Sequence, residues 1–190
     1  TLHMCSVPRQ KGTSSSYPMW YAEILAELMP PESDILFIGL GCGNAIKTLA
    51  DHNNIKKIDV IEINSKVIQA YKKIFDKNYN LAGNEKVKIH NKDGASILRR
   101  GSLNKKEKKY DAILITLTSP LIAYESKLFT LEYIRHSKKL LTDAGVYVLW
   151  FFMNDREAAK VMYNTISTVF DHVYLKISPI VQWSGLFYAS

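Results

Sequence analysis

Ile35-Leu36-Phe37-Ile38-Gly39-Leu40-Gly41-Cys42-Gly43, followed by Asp59-Val60-Ile61-Glu62-Ile63-Asn64, decides the reading of this chain. The short unbroken apolar run at 35–38 is that of a strand buried on both faces. It passes into a turn with glycines at 39, 41 and 43, a residue that admits positive φ and lets a ligand approach the backbone. Asn44 to Asp51 then has helical spacing, with Ala45, Ile46, Leu49 and Ala50 apolar. The start of that helix presents free N–H groups to the turn. A second apolar strand ends in Glu62, 19 residues after Gly43. Strand, glycine turn, helix, strand and terminal acid, in that order, build a nucleoside pocket in which a carboxylate accepts from ribose hydroxyls. The alternative is a tight turn beside a surface glutamate. The dinucleotide pattern G-x-G-x-x-G would place its third glycine at 44, where this chain has Asn44.

Outward from that stretch, the pattern alternates. Residues 1–16 are rich in Ser, Lys and Gly and read as a flexible N-terminal arm. The remainder, 17–190, reads as one domain. Helical spacing covers Tyr17 to Met29 and stops before Pro30-Pro31. Strands are predicted at 35–39, 58–62, 87–90, 111–116, 146–152, 172–178 and 185–189. Helices are predicted at 44–52, 65–77, 94–100, 128–141 and 155–170, the fourth ending at Asp143-Ala144-Gly145. Residues 78–85 read as a loop. Strands alternating with helices imply an α/β, doubly wound, mostly parallel seven-stranded sheet of Rossmann-like type. Ligands in such sheets sit at the carboxyl ends of the strands. Gly39–Gly43, Glu62, Asp93 and Thr116 all fall at such ends.

The composition excludes several classes. The 190 residues are 47% hydrophobic and 11% aromatic, enough for a core. No apolar run reaches the roughly 18 residues of a membrane span, and no secretory signal opens the chain, so a cytoplasmic protein is expected. Cys5 and Cys42 make neither a disulfide framework nor a metal site; Cys42 reads as a small residue filling the turn, with a reactive thiol as the alternative. The histidines at 3, 52, 90, 136 and 172 lack ligand spacing, so no metal is expected. The net charge of +7 owes much to Arg99-Arg100, Lys105-Lys106 and Lys108-Lys109, which read as a solvated loop. Aromatic residues are not interleaved with that charge as single-strand binders require, so no nucleic-acid partner is expected.

The G-x-G-x-G turn resembles motif I of S-adenosylmethionine-dependent transferases. From about Tyr17 onward the chain resembles the spermidine synthase (polyamine aminopropyltransferase) family, and most of all the spermidine-synthase-like domains fused to bacterial membrane proteins. Four segments carry the likeness: Ile38-Gly39-Leu40-Gly41-Cys42-Gly43, Val60-Ile61-Glu62-Ile63, Asp93-Gly94, and Leu128-Phe129-Thr130-Leu131-Glu132-Tyr133 with Gly145-Val146. The resemblance implies the methyltransferase fold and a pocket for S-adenosylmethionine, its decarboxylated form, or the product methylthioadenosine. It assigns Gly39, Gly41, Cys42, Gly43, Glu62, Asp93 and Gly94 to the nucleoside. Glu62 would hold the ribose and Asp93 would accept from the adenine amino group; the alternative for Asp93 is a helix N-cap, and the two roles can coexist. It also implies a small-molecule substrate, a polyamine or a related acceptor, and leaves room for a homodimer and for a membrane tether in a longer parent chain.

The departures fall on the acceptor side. The synthases carry D-S-S-D-P where this chain has Thr116-Leu117-Thr118-Ser119-Pro120, so Thr116 and Ser119 stand at the positions of the catalytic aspartates. An amine nucleophile needs a carboxylate that binds the cation and takes its proton. Cys42 replaces an aspartate of the turn, and Tyr17-Pro18 replaces an acidic pair, whereas Tyr21 and Glu23 remain as substrate-binding candidates. Glu125 and Glu132 are possible substitute carboxylates; Tyr124, Trp150 and Trp183 are possible acceptor-pocket walls, with core packing the better expectation for Trp150. A basic chain also attracts a cationic amine poorly. Three functions fit: an aminopropyltransferase-like enzyme, a methyltransferase, and a non-catalytic nucleoside-binding domain.

Overall fold

The computed structural model describes residues 20–104, 108–116, 126–152, 156–177 and 184–190. Helix α1 (Trp20–Leu28) leads into strand β1 (Ser33–Ile38), and helix α2 (Asn44–Asp51) returns the chain to β2 (Ile55–Glu62). Helices α3 (Ser65–Ile74) and α4 (Asp76–Tyr79) precede β3 (Val87–Asn91), and α5 (Gly94–Leu103) precedes β4 (Tyr110–Ile115). A 3-10 turn (Ser126–Phe129) and α6 (Leu131–Leu140) lead to β5 (Leu141–Phe152); α7 (Arg156–Ser167), β6 (Val173–Ile177) and β7 (Ser184–Ala189) complete the chain.

The seven strands form one sheet in the order β3-β2-β1-β4-β5-β7-β6. β1 pairs in parallel with both β2 and β4, while β7 runs antiparallel to both its neighbours. The strand order reverses between β1 and β4, which opens a crevice at their carboxyl ends. Period-two alternation sends the side chains of β1, β2, β4, β5 and β7 to two cores. Ile35, Phe37, Ile58, Val60, Leu114 and Trp150 pack with α1 and α2 and with Tyr71 and Phe75. Leu36, Ile38, Ile61, Ile113, Ile115 and Leu149 pack with α5, α6 and α7. Helices on both faces explain why these strands read as continuous apolar runs.

Three local readings are corrected. The helix expected over 65–77 is two helices broken at Phe75, whose ring is buried and stacks near Tyr71 at 6.4 Å between centroids. The predicted loop therefore starts at Asn80, which takes a left-handed φ of 48°. The helix expected over 128–141 is a 3-10 turn and α6, separated by the extended Thr130. Gly145 is not a helix stop: α6 ends at Leu140 and β5 begins at once. Tyr110 pairs with Leu141 but Ala112 pairs with Val146, so residues 142–145 bulge opposite Asp111. There Asp111 accepts a hydrogen bond from the Thr142 hydroxyl at 3.2 Å. A Cβ on Gly145 would lie 2.9 Å from that of Leu141, so a close approach inside a bulge selects the glycine.

Candidate functional site

The glycine turn continues β1 past its last ladder residue. Gly39 donates to the Ile61 carbonyl at 2.9 Å, which extends the β1–β2 pairing by one residue. Gly39, Gly41 and Gly43 take φ of 104°, 52° and 84°, a region that side-chain-bearing residues avoid. Gly43 is doubly constrained, since a Cβ there would lie 2.7 Å from the Tyr71 ring and 2.8 Å from Leu81. A Cβ on Gly41 would meet nothing within 4 Å among the described residues.

Glu62 ties this turn to the end of β2. It is 9% exposed. One carboxylate oxygen accepts from the Leu40 amide at 3.1 Å, and the other from the Asn64 amide at 2.8 Å. Each oxygen keeps a further lone pair. The sequence placed Glu62 at a strand end but did not show that its carboxylate braces two backbone turns. Asn64, which sequence reasoning passed over, caps α3 by accepting from Lys66 at 3.0 Å. Asn91, paired in register with Glu62, donates to the carbonyls of Glu62 and Ile63 at 2.9 and 3.0 Å. The only sequence signal for these two was an Asn at each strand end.

Asp93 caps α5. Its carboxylate accepts from the Ala95 amide at 3.1 Å and from the Ser96 hydroxyl at 2.7 Å. Gly94 lies against β1, where a Cβ would lie 2.7 Å from Ile38. Thr116 follows β4 and lies beside the glycine turn. Its amide donates to the Ile38 carbonyl at 3.1 Å, and its hydroxyl contacts the Ile38 and Gly39 carbonyls at 3.2 and 3.5 Å. The fold thus gathers the turn, Glu62, Asp93 and Thr116 at the carboxyl edge of the sheet.

Other predicted residues lie elsewhere. Tyr21 is 4% exposed in the core under α1, where burial, then the nearby Tyr188, pushes its phenol pKa up. Glu23 and Glu132 are exposed, and Trp150 is buried in the core. Cys42 is disulfide-bonded, not a free thiol, which overturns the expectation of unpaired cysteines. Tyr17, Pro18, Leu117, Thr118, Ser119, Pro120, Tyr124, Glu125, Trp183 and the 1–16 arm lie outside the described residues. No group of three or more metal-binding side chains occurs among the described residues.

A doubly wound sheet with a glycine turn after β1 and an acid closing β2 defines a Rossmann-like α/β protein of the S-adenosylmethionine-dependent methyltransferase fold. Residues 20–189 match the Spermine/spermidine synthase domain, and the chain belongs to that family. It is 34% identical over 119 residues to a polyamine aminopropyltransferase of Clostridium botulinum (strain Eklund 17B / Type B), spanning 63% of this chain and 40% of that protein. A polyamine aminopropyltransferase of Lachnospira eligens is 28% identical over 163 residues, 81% of this chain and 55% of the relative. The chain therefore spans about half the length of these curated relatives. Among solved structures, a spermidine synthase in complex with the transition state analogue AdoDATO superposes with a TM-score of 0.76 at 24% identity, covering 91% of this chain and 61% of that one. Human methyltransferase-like protein 13 in complex with SAH gives 0.72 at 19% identity, covering 90% and 76%. These two structural likenesses establish the fold.

Proposed function

We propose that this chain is a spermidine-synthase-like transferase domain that binds an adenosyl sulfonium donor and acts on a polyamine or a related acceptor. The bracing of Leu40 and Asn64 by Glu62 carries the reading. It holds an acceptor pair at the mouth of a turn in which a Cβ on Gly41 would meet none of the described residues within 4 Å. The family and the relatives named polyamine aminopropyltransferases support the transferase class. In this reading Gly39, Gly41, Cys42 and Gly43 pack against the thioether and tail, Glu62 accepts from the ribose hydroxyls, and Asp93 with Gly94 borders the adenine. Tyr21 and Glu23 belong to the acceptor side only if α1 moves its buried ring. A bound sulfonium supplies a carbon open to in-line displacement with a neutral thioether as leaving group. The chain contributes alignment and proximity.

One observation favours methyl transfer as a second reading. At Thr116, where the synthases place an aspartate, a hydroxyl already engages backbone carbonyls and provides no base for an ammonium. The test is chromatographic. Purified protein is incubated with S-adenosylmethionine or its decarboxylated form and a panel of amines. Methylthioadenosine released with the decarboxylated donor supports the aminopropyl reading; S-adenosylhomocysteine supports methyl transfer. Donor binding with no product under any pairing overturns both and leaves a non-catalytic binding domain.

A further inference from the structure

β6 ends the sheet. It pairs with β7 on one side, and among the described residues no strand pairs with it on the other. The direction of its backbone groups follows from the residues just before it. His172 and Ser190 exchange both of their N–H and C=O bonds, each at 3.1 Å. In an antiparallel ladder such pairs alternate with pairs that exchange none. Tyr174 and Lys176, in register with Tyr188 and Leu186, therefore bond to β7. Val173, Leu175 and Ile177 turn their N–H and C=O groups outward, away from the sheet.

The side chains of this strand are as open as its backbone. Tyr174 is 68% exposed, Leu175 37% and Ile177 53%. Val173 packs against the core under α7, so Leu175 and Ile177 share that face. Ile177 lies in register with Gly185, which offers it no side chain. Lys176 is the only charged residue of the strand. The opposite edge of the sheet differs. In β3, Val87 and Ile89 pack against the core, and His90 is held by Asp59 at 2.9 Å. An edge with outward backbone groups and exposed apolar side chains is a template for a further strand.

We propose that β6 is a dimer interface, in which two copies of this chain pair their β6 strands antiparallel about a two-fold axis at Leu175. The sequence of the strand is complementary to itself in that register. Leu175 faces Leu175 of the second copy, Val173 faces Ile177, and Tyr174 faces Lys176. Outward-facing residues then meet outward-facing residues, so each free N–H and C=O along the edge gains a partner. Val173, Leu175 and Ile177 of both copies form one apolar stripe across the junction. Each Lys176 ammonium lies beside a tyrosine ring, which attracts it, and away from the other lysine. Other registers do less. An axis at Lys176 opposes two like charges. An axis at Tyr174 carries Ile177 past the end of the strand, opposite Asp171. An axis between residues sets outward groups against inward ones. The two-fold closes on itself and leaves neither β6 edge free.

The test combines sedimentation velocity on the intact chain, from about 1 to 100 µM, with amide hydrogen exchange read residue by residue by NMR. The expected result is a concentration-dependent dimer. The Leu175 and Ile177 amides exchange fast in the dilute chain and slow about tenfold or more as the dimer forms. The Tyr174 and Lys176 amides are slow throughout. Leu175→Lys sets two ammonium groups at the axis and is expected to weaken the dimer about tenfold or more. Its Tm in dilute solution should stay within about 2 °C of wild type, since the Leu175 N–H bonds to nothing in the monomer. If that variant fails to fold, the exchange pattern of the wild-type chain still decides. A chain that stays monomeric at the highest concentration overturns the proposal. So does a dimer whose Leu175 and Ile177 amides remain fast, because its contact lies elsewhere. Slow exchange of those two amides at every concentration overturns it too, as does a dimer that Leu175→Lys leaves intact.

Discussion

Replacing Glu62 with Gln keeps the size of the side chain and removes one of its two acceptors. The wild-type carboxylate gives one oxygen to the Leu40 amide at 3.1 Å and the other to the Asn64 amide at 2.8 Å. Glutamine satisfies one of these and turns an NH2 toward the other. The shorter bond is the better one to keep, so the Leu40 N–H in the glycine turn is left facing a donor. Hydrogen bonds to charged groups contribute about 1.5–3 kcal/mol, and an orphaned buried donor costs a similar amount. The expected loss is about 2 kcal/mol, which in a domain of this size lowers Tm by about 4–8 °C. Differential scanning calorimetry measures it. The same variant loses charge on the acceptor assigned to the ribose, so methylthioadenosine binding should fall about tenfold or more by titration calorimetry. Unchanged melting within about 1 °C would refute the bracing role. Unchanged affinity would refute the ribose role, and the two readouts fail independently.

Gly43→Ala places a Cβ 2.7 Å from Tyr71 at a φ of 84°. Left-handed strain and overpacking together should cost about 2–4 kcal/mol in urea unfolding, and a loss below about 0.5 kcal/mol would show that the turn gives way. Asp93→Asn preserves the α5 cap, since Asn caps as well as Asp, and should change stability by less than about 0.5 kcal/mol. A fall in methylthioadenosine affinity then supports the adenine role, whereas unchanged affinity leaves Asp93 a cap only. Asp59 accepts from His90 at 2.9 Å, Lys108 at 3.2 Å and the Tyr110 hydroxyl at 3.3 Å. Burial pushes its pKa up, but the hydrogen bonds and charges of His90 and Lys108 outweigh this and hold it below 3.8. A depressed carboxylate stabilises the fold above its unfolded pKa, and that stability is lost as pH falls through the folded value. Asp59→Asn should therefore cost about 2 kcal/mol at pH 7, and the gap to wild type should begin to narrow below about pH 4 and shrink further as pH falls through the folded value. A gap of the same size at pH 3 would contradict the assignment.

Much of the fold was legible because the strands of a doubly wound sheet are buried on both faces and read as apolar runs. Ile35–Ile38 and Ile113–Ile115 are such runs. Where tertiary contacts override local pattern, the sequence misleads. Phe75 continues a helical spacing, yet its buried ring marks a break. Gly145 has the look of a helix stop, yet it sits inside a strand because Asp111 and Thr142 pair across a bulge. At the site, residue types and spacing located the glycine turn, Glu62 and Asp93. They could not reveal that Glu62 spans Leu40 and Asn64, since those bonds join backbone groups brought together by the β1–β2 register. Tyr21 shows the converse: its motif position reads as substrate-facing, and α1 turns the ring into the core.

A crystal structure of the chain soaked with methylthioadenosine tests the central claim most directly. The account predicts the nucleoside in the crevice between β1 and β4, its ribose hydroxyls on the Glu62 carboxylate and its thioether against Gly39–Gly43. A nucleoside bound elsewhere, or none at saturating concentration, would contradict it.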